Sequence, residues 1–166
     1  MSLMAEEGIR SLANGLRGVK ENGKDKEARS ECLYGAWLCG MVLGNVGMAL
    51  HHKLCHTLGG TFNLPHAATH AIVLPLALAY NSTVADDAME RIARALNVKS
   101  APDGLFELNG ELGVPRGLRE IGMSESDLDY ACEVALSNPY WNPRPIEEKP
   151  LRALLQRAWE GARPLA

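Results

Sequence analysis

Nineteen consecutive residues, Cys32 to Leu50 (CLYGAWLCGMVLGNVGMAL), carry no charge. Such a run leaves a chain few options: it is nearly long enough to cross a bilayer, or it is a helix buried on all sides in a protein core. Asn45 interrupts it, His51 and His52 follow directly, and the flanking positive charge is modest. The central-helix reading is therefore preferred, and no membrane partner is expected. On that reading Trp37, Met41 and Met48 are core residues rather than a cofactor box. Gly35, Gly40, Gly44 and Gly47 are spaced like the small residues of close helix contacts.

The text on either side is helical too. Ile9, Leu12, Ala13, Leu16 and Val19 recur at helical spacing before a turn signal at Asn22-Gly23. A second, long helix is expected from Lys24 through the first histidines, ending at Leu58-Gly59-Gly60-Thr61. Pro65 can open the next helix, which continues past Pro75 with a kink. Further helices are expected over 84–98, 104–112, after a cap at Ser124 and Asp127, and over 147–161. Asp86-Asp87 suits a helix start through the helix dipole. Three prolines within NPYWNPRP leave a rigid loop between the last two helices. No segment shows period-two alternation, so the fold class is all-α.

At 166 residues the chain can bury one sizeable core. Met1-Ser2-Leu3, ahead of a second methionine, reads as an added leader, and 4–166 as a single helical domain. MSLMAEEGIR has neither the basic nor the apolar region of a secretory signal, and Cys32, Cys39, Cys55 and Cys132 form no C-x-x-C pair. Reduced thiols in a cytoplasmic protein are expected. With a net charge of -3 and no basic cluster, no nucleic-acid partner is expected. No strand-GxGxxG-helix unit or phosphate-binding P-loop is present either.

All five histidines fall within ALHHKLCHTLGGTFNLPHAATH, residues 49–70. His52 and His56 are four apart on one helical face, and His66 and His70 repeat that spacing on the next helix. A turn between them can bring the two pairs to one cleft. Neutral imidazoles suit a divalent metal, yet no Asp or Glu occurs from Leu33 to Ala85 to supply oxygen ligands. Composition and spacing leave metal binding, proton transfer with anion binding, and packing all open. A Cys55-His56 nucleophile pair is disfavoured because adjacent helical residues diverge.

The stretch GMALHHKLCHTLGGTFNLPHAATHAIVLPLALAYN resembles the signature of the iron-containing (group III) alcohol dehydrogenases. Gly47, His52, His56, Gly59, Pro65, His66, Ala71, Leu74, Pro75, Tyr80 and Asn81 carry the match. Within that superfamily the doubled His51-His52, KLCH and PHAATHAIVLP are most similar to the maleylacetate reductases. The similarity continues through LGVPRGLREIGM and NPYWNPRPI. The resemblance implies a multi-helix C-terminal domain like that of iron-containing alcohol dehydrogenases and dehydroquinate synthase-like proteins, without the N-terminal α/β domain that binds the dinucleotide. It also implies a part in NADH- or NADPH-dependent reduction of maleylacetate to 3-oxoadipate, a step of aromatic-compound degradation, with this chain inactive alone.

By the same resemblance, His52 and His66 match two late ligands of iron or zinc in metal-dependent relatives, whose other ligands, an Asp-x3-His pair, belong upstream. Maleylacetate reductases resemble the superfamily without needing the metal, so neither iron nor zinc is expected. Ala67 and His70 stand where the superfamily has glycine and asparagine, and both changes fit the reductase pattern. The expected roles are His56 as the acid, and His51, His52, His66, His70 and Arg144 as contacts to a dicarboxylate substrate. The alternatives are the same domain of a metal-dependent alcohol dehydrogenase acting on another carbonyl substrate, and a stand-alone helical binding or dimerisation module. A helical domain without its other half exposes an apolar face, so a homo-oligomer is expected, of open stoichiometry.

Overall fold

The computed structural model describes residues 1–165, and among them there are eight α-helices, three short 3-10 turns and no strand. The helices are α1 (Ser2–Glu21), α2 (Lys26–Leu43), α3 (Leu50–Phe62), α4 (His66–Asn81), α5 (Asp86–Leu96), α6 (Ala101–Leu112), α7 (Leu128–Ser137) and α8 (Glu148–Glu160). Local chemistry explains most boundaries. Asp25 caps α2 by accepting from the Glu27 and Ala28 amides, Ser100 caps α6 through the Asp103 amide, and Asp86 and Asp87 occupy the positive first turn of α5. The Ser124–Asp127 capping box forms, leading into α7 through a 3-10 turn. Ser2 and Leu3 lie in α1, continuous with the helix that follows Met4.

Two expectations fail in the middle of the chain. The single long helix is broken: α2 stops at Leu43, residues 44–49 are irregular, and α3 starts at Leu50. Gly44 and Gly47 supply little helical preference, and Asn45 turns its side-chain amide onto the Met41 carbonyl at 2.8 Å, competing with the backbone ladder. Gly59-Gly60 does not end α3, which runs on to Phe62 and closes at Asn63 in the left-handed conformation (φ 54°) ahead of Leu64-Pro65. Packing overrides propensity there, since Leu58 is fully buried and Phe62 lies against the core.

The uncharged run is also not buried on all sides. α2 packs chiefly on α1, and its far face leaves Leu33 73% and Trp37 59% exposed, with Tyr34 and Met41 also in solvent. Met48, in the segment after α2, is exposed as well. Trp37, Met41 and Met48 are therefore not core residues in this chain. Only the α1 side behaves as expected of a close contact: Gly8, Gly15 and Gly35 sit where a Cβ would meet the other helix at 2.8 Å.

The main core lies elsewhere. Leu50, Leu54 and Leu58 of α3, Val73 of α4, Leu128 and Ala131 of α7 and Leu151 and Leu155 of α8 are almost wholly excluded from water. A smaller cluster, Ala13, Leu96 and Leu108, joins α1, α5 and α6, and α4 packs on α6. At its edge, buried Glu6 receives both Arg94 (2.7 and 2.8 Å) and Arg91 (3.4 Å), and the Arg94 guanidinium holds its carboxyl below the ordinary value. No helix among the described residues is long and apolar enough to cross a membrane.

Candidate active site

The break before α3 and the Asn63–Pro65 turn let α3 and α4 lie side by side, and this contact collects the histidines. His51, His52 and His56 come from α3, His66 and His70 from α4. Ring centroids of His51 and His70 are 5.0 Å apart, His52 and His70 5.3 Å, His66 and His70 4.1 Å, and His52 and His56 6.1 Å. His70, the residue that departs from the superfamily pattern, touches three of the other four rings. His51, His52 and His70 are half-buried, while His56 and His66 face solvent.

His51 Nε2–H donates to the carbonyl of His70 at 3.0 Å, which fixes that tautomer in the neutral ring because a carbonyl only accepts. Cys55 Sγ lies 3.5 Å from the same nitrogen. Burial drives the His51 pKa down to about 4, against the raising effect of its bond to His70. His70 also falls to about 4, through desolvation and then the neighbouring imidazoles, and His52 is lowered for the same two reasons. Three of the five histidines are thus uncharged at neutral pH. The Cys55 thiol is pushed up to about 12 by burial, so it is no nucleophile.

The Pro-rich loop closes one side of the cluster. Tyr140 places its hydroxyl 3.0 Å from His56 Nδ1. Asn142 pins the loop down: its side-chain oxygen accepts from Asn81 Nδ2 (3.0 Å) and the Leu50 amide (3.4 Å), and its nitrogen donates to Asn81 Oδ1 and the Arg144 carbonyl, each at 2.7 Å. Arg144 does not join the imidazoles. Its guanidinium donates to the Tyr80 carbonyl at 2.9 Å and lies 4.4 Å over the Tyr80 ring.

Two neighbouring helices that present five histidines and no carboxylate, closed by an asparagine-locked loop, can now be set beside known proteins. The model of the Fe-containing alcohol dehydrogenase family, C-terminal, matches residues 1–159. The chain belongs to that family. A maleylacetate reductase of Burkholderia cepacia is 57% identical over 164 residues, which are 99% of this chain and 47% of that protein. The crystal structure of maleylacetate reductase from a Rhizobium species superposes with a TM-score of 0.94 at 51% identity, covering 98% of this chain and 46% of that one. An iron-containing alcohol dehydrogenase of Corynebacterium glutamicum follows with a TM-score of 0.89 at 44% identity over 95% of this chain and 44% of its own. The chain therefore spans about half the length of the relatives it matches.

The metal that gives the family its name can be tested against these side chains. Among the described residues, the set of histidine, cysteine and carboxylate donors that converges within 4.8 Å is His51, Cys55 and His70, and it contains neither His52 nor His66. His52 and His66 both lie beside the His70 ring but belong to no converging set of three donors, and α3 and α4 carry no carboxylate. The donors present do not make an iron site.

Sequence reasoning missed Tyr140 and Asn142, which reach the cluster from 84 and 92 residues away along the chain. Only the dense prolines around them hinted at a fixed loop. It set aside a pair of Cys55 with adjacent His56, and the structure places Cys55 Sγ instead beside His51, four residues earlier on the same helical face.

Proposed function

We propose that this domain forms the substrate wall of a reductase that converts maleylacetate to 3-oxoadipate with NADH or NADPH, its nucleotide-binding half being a separate domain. The observation that supports this reading best is the carboxylate-free histidine cluster of α3 and α4, in a chain 57% identical to a maleylacetate reductase. NAD(P)H supplies the hydride when bound. The chain's own residues bind the dicarboxylate, hold its alkene and deliver a proton. His52, His66 and His70 face the anion, assisted by the start of α4, whose first turn carries no acidic residue. His51 supports His70 through its carbonyl.

His56, exposed and oriented by Tyr140, is the proton donor. Hydride addition to the alkene carbon β to the ketone leaves an enolate, and the His56 proton completes the neighbouring carbon. His52 and His70, whose pKa values burial and neighbouring imidazoles lower, gain protons as a bound dianion replaces that repulsion with attraction, which offsets the cost of burying two carboxylates. Arg144 serves the site indirectly, by fixing the loop that carries Tyr140. The free cysteines agree with a cytoplasmic setting.

The test is maleylacetate-dependent oxidation of NAD(P)H by the product of the complete gene, before and after chelation, with His56→Ala beside it. Activity that survives chelation and falls about 100-fold in the variant is expected. Activity abolished by chelation and restored by iron would instead favour a metal-dependent alcohol dehydrogenase. No reductase activity at all would leave a binding or dimerisation module.

A further inference from the structure

We propose that His51, Cys55 and His70 form a binding site for a thiophilic divalent cation of the zinc class, distinct from the His52–His66 pair. The three donor atoms lie within 4.8 Å of one another. Cys55 Sγ and His51 Nε2 are 3.5 Å apart. That is the edge expected of a tetrahedral site, because zinc bonds of about 2.3 Å to sulfur and 2.0–2.1 Å to nitrogen at the tetrahedral angle separate the donors by about 3.5 Å. The spacing follows from the fold: residues 51 and 55 share one face of α3, and the α3–α4 contact sets His70 opposite them.

The surroundings suit the ion. His70 Nε2 is buried without a hydrogen-bond partner, a state that a metal bond would relieve. Cys55 is only 1% exposed, so no solvent competes for the sulfur once it is ligated. One thiolate and two imidazoles favour zinc, cobalt(II) or cadmium over magnesium or calcium, which want oxygen. Binding releases one proton, from Cys55 Sγ, while His51 moves its ring proton from Nε2 to Nδ1 and exchanges its bond to the His70 carbonyl for the metal. Water takes the fourth position. The site shares His51 and His70 with the proposed dicarboxylate site, so a metal bound here competes with that substrate, and the metal titration reads the site without any reductase assay.

Cobalt(II) is the probe. The 166-residue chain is titrated anaerobically, together with a Cys32→Ser/Cys39→Ser/Cys132→Ser form in which Cys55 is the sole thiol. Circular dichroism confirms the fold of each variant. The expected result is a near-ultraviolet thiolate-to-cobalt band with tetrahedral visible bands, saturating at one equivalent in both proteins. Cys55→Ser removes the band, His70→Asn weakens binding at least tenfold, and His52→Gln and His66→Gln leave the band in place. Absence of any thiolate band, its survival in Cys55→Ser, or equal loss in His52→Gln would overturn the site.

Discussion

His51 shows how a single residue changes meaning between sequence and structure. Its neighbours in sequence suggested a ligand or a cation for an anionic substrate, but the fold buries the ring against His70 and lowers its pKa to about 4. The sign of the stability effect follows from linkage. Between about pH 4 and 6.5 the unfolded chain binds the proton and the folded ring does not, so stability is complete above pH 6.5 and is lost as pH falls through that window. For His51 alone the loss from pH 7 to pH 5 is about 2 kcal/mol. Urea unfolding at the two pH values measures it, and His51→Gln should lack that share of the drop; an unchanged pH slope in the variant would refute the assignment. Five clustered histidines were legible from spacing. Which of them stay neutral was not, because desolvation belongs to the packed state.

Among the elements, the α1–α2 pair separates glycines that the sequence makes look alike. A Cβ on Gly35 would stand 2.8 Å from the Leu12 backbone nitrogen and from Leu12 Cγ, whereas one on Gly40 would meet nothing within 4 Å. Gly35→Ala is therefore expected to destabilise by about 1–3 kcal/mol through overpacking, despite its helical preference. Gly40→Ala should stabilise by up to ~1 kcal/mol from the same preference unopposed. Denaturant midpoints of the two variants decide this, and shifts of one sign in both would reject it. The helix pattern itself was legible around most of the chain, including the cap at Ser124, whereas the Ser100 cap that starts α6 three residues earlier than expected was not. The break at 44–49 was not, since periodicity continues through Gly44 and Gly47 while the backbone stops.

At the scale of the molecule, the core is off-centre in sequence. α3, α4, α7 and α8 enclose it, and α2 rides on α1 with its outer face in water. Leu33→Glu/Trp37→Glu changes that face without touching another helix, so unfolding stability should move by less than about 0.5 kcal/mol. Sedimentation of the chain at rising concentration should show self-association that the double variant suppresses. A large loss of stability in the variant would mean that the face is engaged within the chain. The uncharged run promised burial, and the structure explains the discrepancy: hydrophobicity states that a surface seeks cover, not which partner supplies it.

By itself the sequence determined the all-α class, the approximate helices, the histidine stretch and the family, because these depend on period, capping chemistry and short-range spacing. Tertiary structure decided that His70 stands at the centre of the cluster, that Tyr140 meets His56, that Arg144 is held by Tyr80, and that Trp37 and Met41 face outward. The reason is physical. Local patterns fix what each segment prefers, but contacts across 64 to 92 residues and the burial that shifts a pKa exist only once the helices have packed.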